Sequence, residues 1–254
     1  MVETMITLDT IYNMDCLEGM KQIPDGTIDA VICDLPYGTT ACAWDSVIPF
    51  DKLWEQYRRI TKPNAAIVLF GSEPFSSALR MSNIKEYRYD WVWDKINQAT
   101  GFLNAYKMPM KVHENISVFY REQSTYNPQM RQGTEPNHYG KNPAKGFSNV
   151  YNISTTGKRD KTLDKLPISC LHIEKDHPSK TIHPTQKPVD LLRYLVLTYT
   201  NEGDTVLDNC MGSGTTAIAC IKERRHFIGF ELSKEYFDKA VRRIKAEQAQ
   251  LTLF

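Results

Sequence analysis

Apolar positions along this chain recur with two different periods. Three nearly continuous apolar runs, residues 28–33 (Ile-Asp-Ala-Val-Ile-Cys), 65–70 and 204–207, read as strands buried on both faces. Between them the spacing shifts to three and four residues. Leu53, Trp54, Tyr57 and Ile60 predict a helix over 51–60, and Val189, Leu192, Leu195 and Val196 another over 188–200. Lys62-Pro63-Asn64 and Asn201-Glu202-Gly203 carry the breakers that end them. Shorter segments complete the pattern: strands over 6–12, 87–93, 116–120 and 227–230, and helices over 16–22, 74–81, 215–223 and 233–249. Buried strands alternating with amphipathic helices predict an α/β fold, a mostly parallel doubly wound sheet with helices on both faces.

From residue 121 the periodicity fades, and Asn, Gly, Pro, Ser and Thr accumulate up to about residue 178. Residues 121–180 hold ten Lys/Arg against six Asp/Glu, with Tyr126, Tyr139, Phe147 and Tyr151 among them. Cations interleaved with aromatics suit phosphate and base contacts. The organisation expected is therefore a catalytic half over 1–120, a loop-rich insertion over 121–178, a second half over 179–249 and a short tail, 250–254.

Whole-chain composition adds less. With 254 residues, 41% hydrophobic and 24% charged, the chain is long enough for one large domain, and its net charge of +1 leaves any basic surface local. Six cysteines without a Cys-x-x-Cys pair read as reduced thiols of a cytoplasmic protein. No apolar run is long enough to span a membrane, and the start does not read as a signal peptide. Cys170, His172, His177 and His183 lack the paired spacing of a metal site.

Two clusters carry candidate chemistry. Asp34-Leu35-Pro36-Tyr37-Gly38 follows the first buried strand, and Asp208-Asn209-Cys210-Met211-Gly212-Ser213-Gly214-Thr215-Thr216 follows the third. Both read as loops at the carboxyl ends of parallel strands, where open α/β sheets hold ligands. Gly212-x-Gly214 lets the backbone approach a ligand closely, and Glu231, ending the next strand, suits a ribose. Thr215 stands where a phosphate-binding loop would need lysine. A nicotinamide dinucleotide remains a rival ligand, because Gly212-x-Gly214-x-x-Ala217 with a later acid fits its fingerprint.

Together the two clusters resemble the DNA amino-methyltransferases, in the permuted order in which the catalytic motif precedes the cofactor motif. Leu35 and Cys210 depart from the family's usual proline and aromatic. The resemblance implies an S-adenosylmethionine-dependent enzyme that methylates N6 of a flipped adenine in double-stranded DNA. It implies a catalytic set of Asp34, Leu35, Pro36 and Tyr37. Asp34 and the Leu35 carbonyl would accept the two amine hydrogens, and Tyr37 would stack on the base. Asp15, Cys16, Asp34, Asp208, Cys210, Gly212, Gly214, Thr215 and Glu231 would contact the cofactor, with Lys187, in the run His183 to Pro188, at its methionine carboxylate. Tyr37, Trp44, Lys95, Arg131, Lys141, Lys145, Lys158 and Arg159 would contact DNA, and Trp91, Trp93, His113 and Glu114 would wall the pocket. Residues 121–178 would recognise the target sequence. Cytosine N4, an RNA or protein amide, and nicotinamide-dependent oxidoreduction stay open as alternatives, and a homodimer is compatible. The ending Gln250-Leu251-Thr252-Leu253-Phe254 resembles peptides that dock on the bacterial replication sliding clamp.

Overall fold

The computed structural model describes residues 6–39, 45–96, 98–133, 164–177, 179 and 181–251. Eight strands form one sheet: β1 (Thr10–Tyr12), β2 (Ile28–Cys33), β3 (Thr61–Gly71), β4 (Tyr87–Asp94), β5 (His113–Phe119), β8 (Cys170–His172), β9 (Thr205–Asp208) and β10 (His226–Phe230). Their spatial order is β1-β10-β9-β2-β3-β5-β4-β8. From β1 to β3 every neighbouring pair is parallel; β5 alone runs against its neighbours, and β8 returns parallel to β4. β2 and β9, more than 170 residues apart in sequence, lie side by side, with Ala30 opposite Val206 and Val31 opposite Leu207.

Alternation along the strands separates two cores. Ile32, Val68, Phe70 and Val206 face one side, against α4 (Val189–Tyr199), α5 (Thr215–Lys222) and α6 (Lys234–Leu251). Val31, Cys33, Ile67, Leu69 and Leu207 face the other, against α1 (Cys16–Met20), α2 (Phe50–Ile60) and α3 (Phe75–Ser82). α2 buries Leu53, Trp54, Tyr57 and Ile60, with Asp51 in its first turn and Arg58 and Arg59 in its last, complementing the helix dipole. Arg59 also ties α2 to α1, donating to the Met20 and Ile23 carbonyls at 2.6 and 2.7 Å.

Several boundaries differ from expectation. β3 starts at Thr61 rather than 65, because Thr61 pairs with Ile28 across a register shift despite the polar residues between. β5 starts at His113 rather than 116, since its polar first residues pair with Trp93 and Asp94 of β4. α6 continues through Gln250 to Leu251, where the tail was expected; residues 252–254, which carry most of the clamp-like ending, lie outside the described residues.

The chain divides into two compact units, Met1–Asn127 with Ser169–Phe254, and Pro128–Ile168. Within the second, β6 (Arg131–Gln132) and β7 (Asp164–Lys165) form an antiparallel ribbon. Residues 121–127 of the loop-rich stretch belong to the first unit, where Asn127 donates from its amide to the Thr198 carbonyl at 2.7 Å and caps α4. Among the described residues no helix is long and apolar enough to cross a membrane, and no group of three His, Cys, Asp or Glu is placed to hold a metal.

Candidate active site

The loops after β2 and β9 open on one cavity of about 840 Å³, lined from the front by Asp34, Leu35, Pro36 and Tyr37 and from the back by Asp208 to Gly212 and Glu231. Neighbouring central strands place the loops there. The position is the one where an open parallel sheet leaves a crevice.

The front loop is tied down by Asp45. Its Oδ1 accepts from the Tyr37 and Gly38 amides at 2.8 and 2.9 Å, and its Oδ2 from the Thr39 amide at 2.9 Å. The Tyr37 ring packs on Phe75, 4.9 Å between centroids, and its hydroxyl donates to Asp34 Oδ1 at 2.5 Å. Asp34 Oδ2 accepts from the ammonium of Lys187. That ammonium also lies 3.4 Å from Glu114 Oε2, whose other oxygen pairs with Lys95 Nζ at 2.5 Å. Two carboxylates and two ammonium groups are thus interleaved in the wall of the pocket. Burial pushes Asp34 above the usual carboxylate range, with Lys187 opposing. Burial also acts on Glu114, but Lys187 and Lys95 outweigh it and hold that carboxyl at about 2.

The back loop turns through two left-handed glycines, Gly212 (φ +53°) and Gly214 (φ +78°). A Cβ on Gly214 would stand 3.3 Å from Ala240 and Ile244 of α6, so the helix packs against bare backbone. Glu231 fixes the loop to the end of β10, accepting from the Gly212 and Ser233 amides at 2.8 and 2.7 Å. Arg243 of α6 donates to the Ser213 carbonyl and the Thr215 hydroxyl at 3.1 and 2.9 Å. Asp208 accepts from the Thr216 hydroxyl at 2.6 Å and the Cys210 amide at 3.1 Å, and burial raises its carboxyl to about 6. Asn209 donates towards the sulfurs of Cys210 and Cys16 at 3.5 and 3.7 Å, and Tyr57 donates to its Oδ1 at 2.5 Å.

A sequence profile of the DNA methylase family N6/N4 matches residues 28–242, a span that includes both loops. The chain belongs to that family. It is 27% identical over 253 residues to the type II methyltransferase M.HpaI of Haemophilus parainfluenzae, covering 92% of this chain and 73% of that protein. Identity to M.HinfI of Haemophilus influenzae is 26% over 276 residues, covering 94% and 68%. In three dimensions it resembles M1.HpyAVI solved with SAM (TM-score 0.62, 24% identity, 92% of this chain and 98% of that one). It also resembles the cytosine-N4-specific PvuII DNA methyltransferase (TM-score 0.65, 15% identity, 96% and 93%).

The expected residues fall into distinct places in this family member. Asp34, Leu35, Pro36, Tyr37, Asp15, Cys16, Asp208, Cys210, Gly212, Thr215 and Glu231 all line the cavity. Gly214 sits behind the wall as the N-cap residue immediately before α5. Asp15 also caps α1, its Oδ1 accepting from the Leu17 and Glu18 amides at 2.9 and 3.2 Å. Lys187, expected at a methionine carboxylate, also lines the cavity and is paired with Asp34 and Glu114 of the catalytic half. Lys95, expected on DNA, is buried against Glu114 and beneath the Trp93 ring. Trp93 lines the pocket, whereas Trp91, one pleat back along β4, donates its indole N–H to Tyr199 in the core. Arg131 lies on β6 of the second unit and donates to the Leu166 carbonyl at 3.1 Å. Trp44, Lys141, Lys145, Lys158 and Arg159 lie outside the described residues.

Proposed function

We propose that the chain transfers a methyl group from S-adenosylmethionine to N6 of adenine in double-stranded DNA. The observation that carries this reading is the cavity shared by the Asp34 and Asp208 loops on adjacent strands. The cavity wall suits the donor. Asp15, Asp208 and Glu231 surround the glycine loop with negative charge, which favours a ligand carrying ammonium and sulfonium groups and disfavours a diphosphate. That contrast argues against a nicotinamide dinucleotide. When bound, the donor supplies an electrophilic methyl carbon.

The chain's own residues prepare the amine. An exocyclic amine is a weak nucleophile because its lone pair is delocalised into the ring. Asp34 and the Leu35 carbonyl accept its two hydrogens, which shifts the nitrogen towards tetrahedral geometry and frees that lone pair. Pro36 limits the backbone freedom of the loop, and Asp45 fixes the residues after it. A carboxylate has about four lone-pair sites, so Asp34 retains acceptor capacity beside Tyr37 and Lys187. Tyr37 offers a flat surface in the pocket for a base taken out of the stack. Attack proceeds in line, without a covalent enzyme intermediate, and positioning and electrostatics supply the acceleration.

Aspartate rather than serine at position 34 supports adenine N6 over cytosine N4. The loop-rich stretch 121–178, basic and aromatic, supplies target recognition in this reading. Transfer of labelled methyl to unmethylated DNA, followed by digestion and separation of nucleosides, tests it. The label is expected in N6-methyldeoxyadenosine. Label in N4-methyldeoxycytidine would replace the adenine assignment, and unlabelled DNA would refute methyl transfer to DNA.

A further inference from the structure

Between β4 and β5 the chain leaves the sheet as a loop closed by its own neck. The Thr100 amide donates to the Lys111 carbonyl at 2.8 Å, and the Lys111 amide returns to the Thr100 carbonyl at 2.9 Å. Past the neck, Gly101 (φ +89°) turns the backbone into a 3-10 turn, Phe102–Asn104. The Lys107 and Met108 amides then donate to the Asn104 carbonyl at 2.8 and 3.0 Å. The loop is internally bonded, yet its large apolar side chains face outwards. Phe102 is 80% exposed, Leu103 96% and Tyr106 fully, with Met108 and Met110 also open. An apolar cluster of this size on a surface marks an interaction site.

Two features identify the partner. Residues 96–112 include Lys107 and Lys111 and no carboxylate, so the apolar tip stands in a cationic setting. The neck residues Thr100, Gly101 and Lys111 line the same cavity as Asp34, so the tip projects from the rim of the pocket. A protein partner would be served by the apolar tip alone. A polyanion whose interior is flat and apolar uses both the tip and the lysines, and duplex DNA is such a partner. Resting on the DNA-methylation reading above, we propose that Phe102, Leu103 and Tyr106 form a wedge that enters the base stack and fills the space an extruded target base leaves.

Removing a base from a duplex sacrifices stacking on both of its faces, and inserted apolar side chains restore part of it. Lys107 meets a flanking phosphate, while Lys111, whose ammonium donates to the Ser72 hydroxyl, adds positive charge at the rim of the pocket. The wedge acts on the opening of the duplex and leaves the chemistry at Asp34 untouched. Its loss therefore matters only where a paired base must be extruded.

The sequence methylated by the wild-type chain is first mapped on plasmid DNA. Wild type and the triple variant Phe102→Ala, Leu103→Ala, Tyr106→Ala are then compared on two duplexes of that sequence, one fully paired and one mismatched at the target base. On the paired duplex kcat/KM is expected to fall about 10- to 100-fold, the range for one or two lost stacking contacts. On the mismatched duplex, whose target base is already loosened, the rate is expected to be unchanged. The conservative variant Phe102→Trp, Tyr106→Trp is expected to keep the paired-duplex rate, and an unchanged thermal midpoint shows the triple variant folded. Equal loss on both duplexes, or loss on neither, overturns the wedge. A wild type that methylates no plasmid DNA ends the methyl-transfer reading and the wedge with it, a result distinct from either outcome for the variants.

Discussion

In the proposed reaction Asp34 accepts an amine hydrogen best as a carboxylate, and its neighbours pull that ionisation in opposite directions. Burial raises its pKa, Lys187 lowers it and Glu114 raises it again. Activity is therefore present above that raised pKa and is lost as pH falls through it, placing the acid limb of kcat above the ordinary aspartate value of about 3.9. Lys187→Gln removes the opposing ammonium, so the limb is expected to move to higher pH; a pH–rate profile with the limb in place would remove Lys187 from control of Asp34. Asp34→Ala is expected to lower kcat by roughly 100-fold or more while calorimetry shows donor binding retained. Wild-type-like turnover would contradict the role given to this carboxylate. The residue contacts that were hard to read are the long-range ones. Asp34, Gly212 and Glu231 stand in local patterns with local reasons, a strand end, a tight turn, a second strand end. The Lys187–Glu114–Lys95 set comes from three separate segments, and nothing in the local spacing of any one announces the other two.

At the scale of elements, the glycine loop and α6 depend on each other. Gly214→Ala puts a Cβ at φ +78° and within 3.3 Å of α6, and is expected to destabilise the fold by about 1–2 kcal/mol. Thermal unfolding reads this as a midpoint lower by several degrees; an unchanged midpoint would show that α6 yields freely. Elements with a strong period, such as α2, α4, β2 and β9, were legible in the sequence. Their helical stripes and apolar runs are decided by their own residues. β8 was not, because Cys170–His172 is a strand only through its pairing with Val92 to Asp94. The start of β3 was hidden for the same reason, its polar residues being recruited by Ile28. Asp45 belongs here too: its three amide contacts are visible only in the folded loop.

For the whole molecule, stability carries the signature of the buried acid Asp208. Burial raises Asp208 to about 6, above its unfolded value of about 3.9, so the folded state holds that proton more tightly. The resulting stabilisation is complete below pH 4 and disappears as pH rises through about 6. Asp208→Asn has no charge to bury. Without donor, it is expected to unfold at a higher temperature than wild type at pH 8, by up to about 3 kcal/mol, with the difference vanishing near pH 4. Midpoints that differ equally at both pH values would show that the carboxyl is not the source. The pairing of β2 with β9 has a consequence of its own. The strands that carry the Asp34 and Asp208 loops are joined by a ladder in the middle of the sheet, and in the proposed function those loops hold methyl acceptor and methyl donor. Catalytic competence and cooperative melting are then the same event, and titration with urea should extinguish turnover along the curve that reports loss of the sheet.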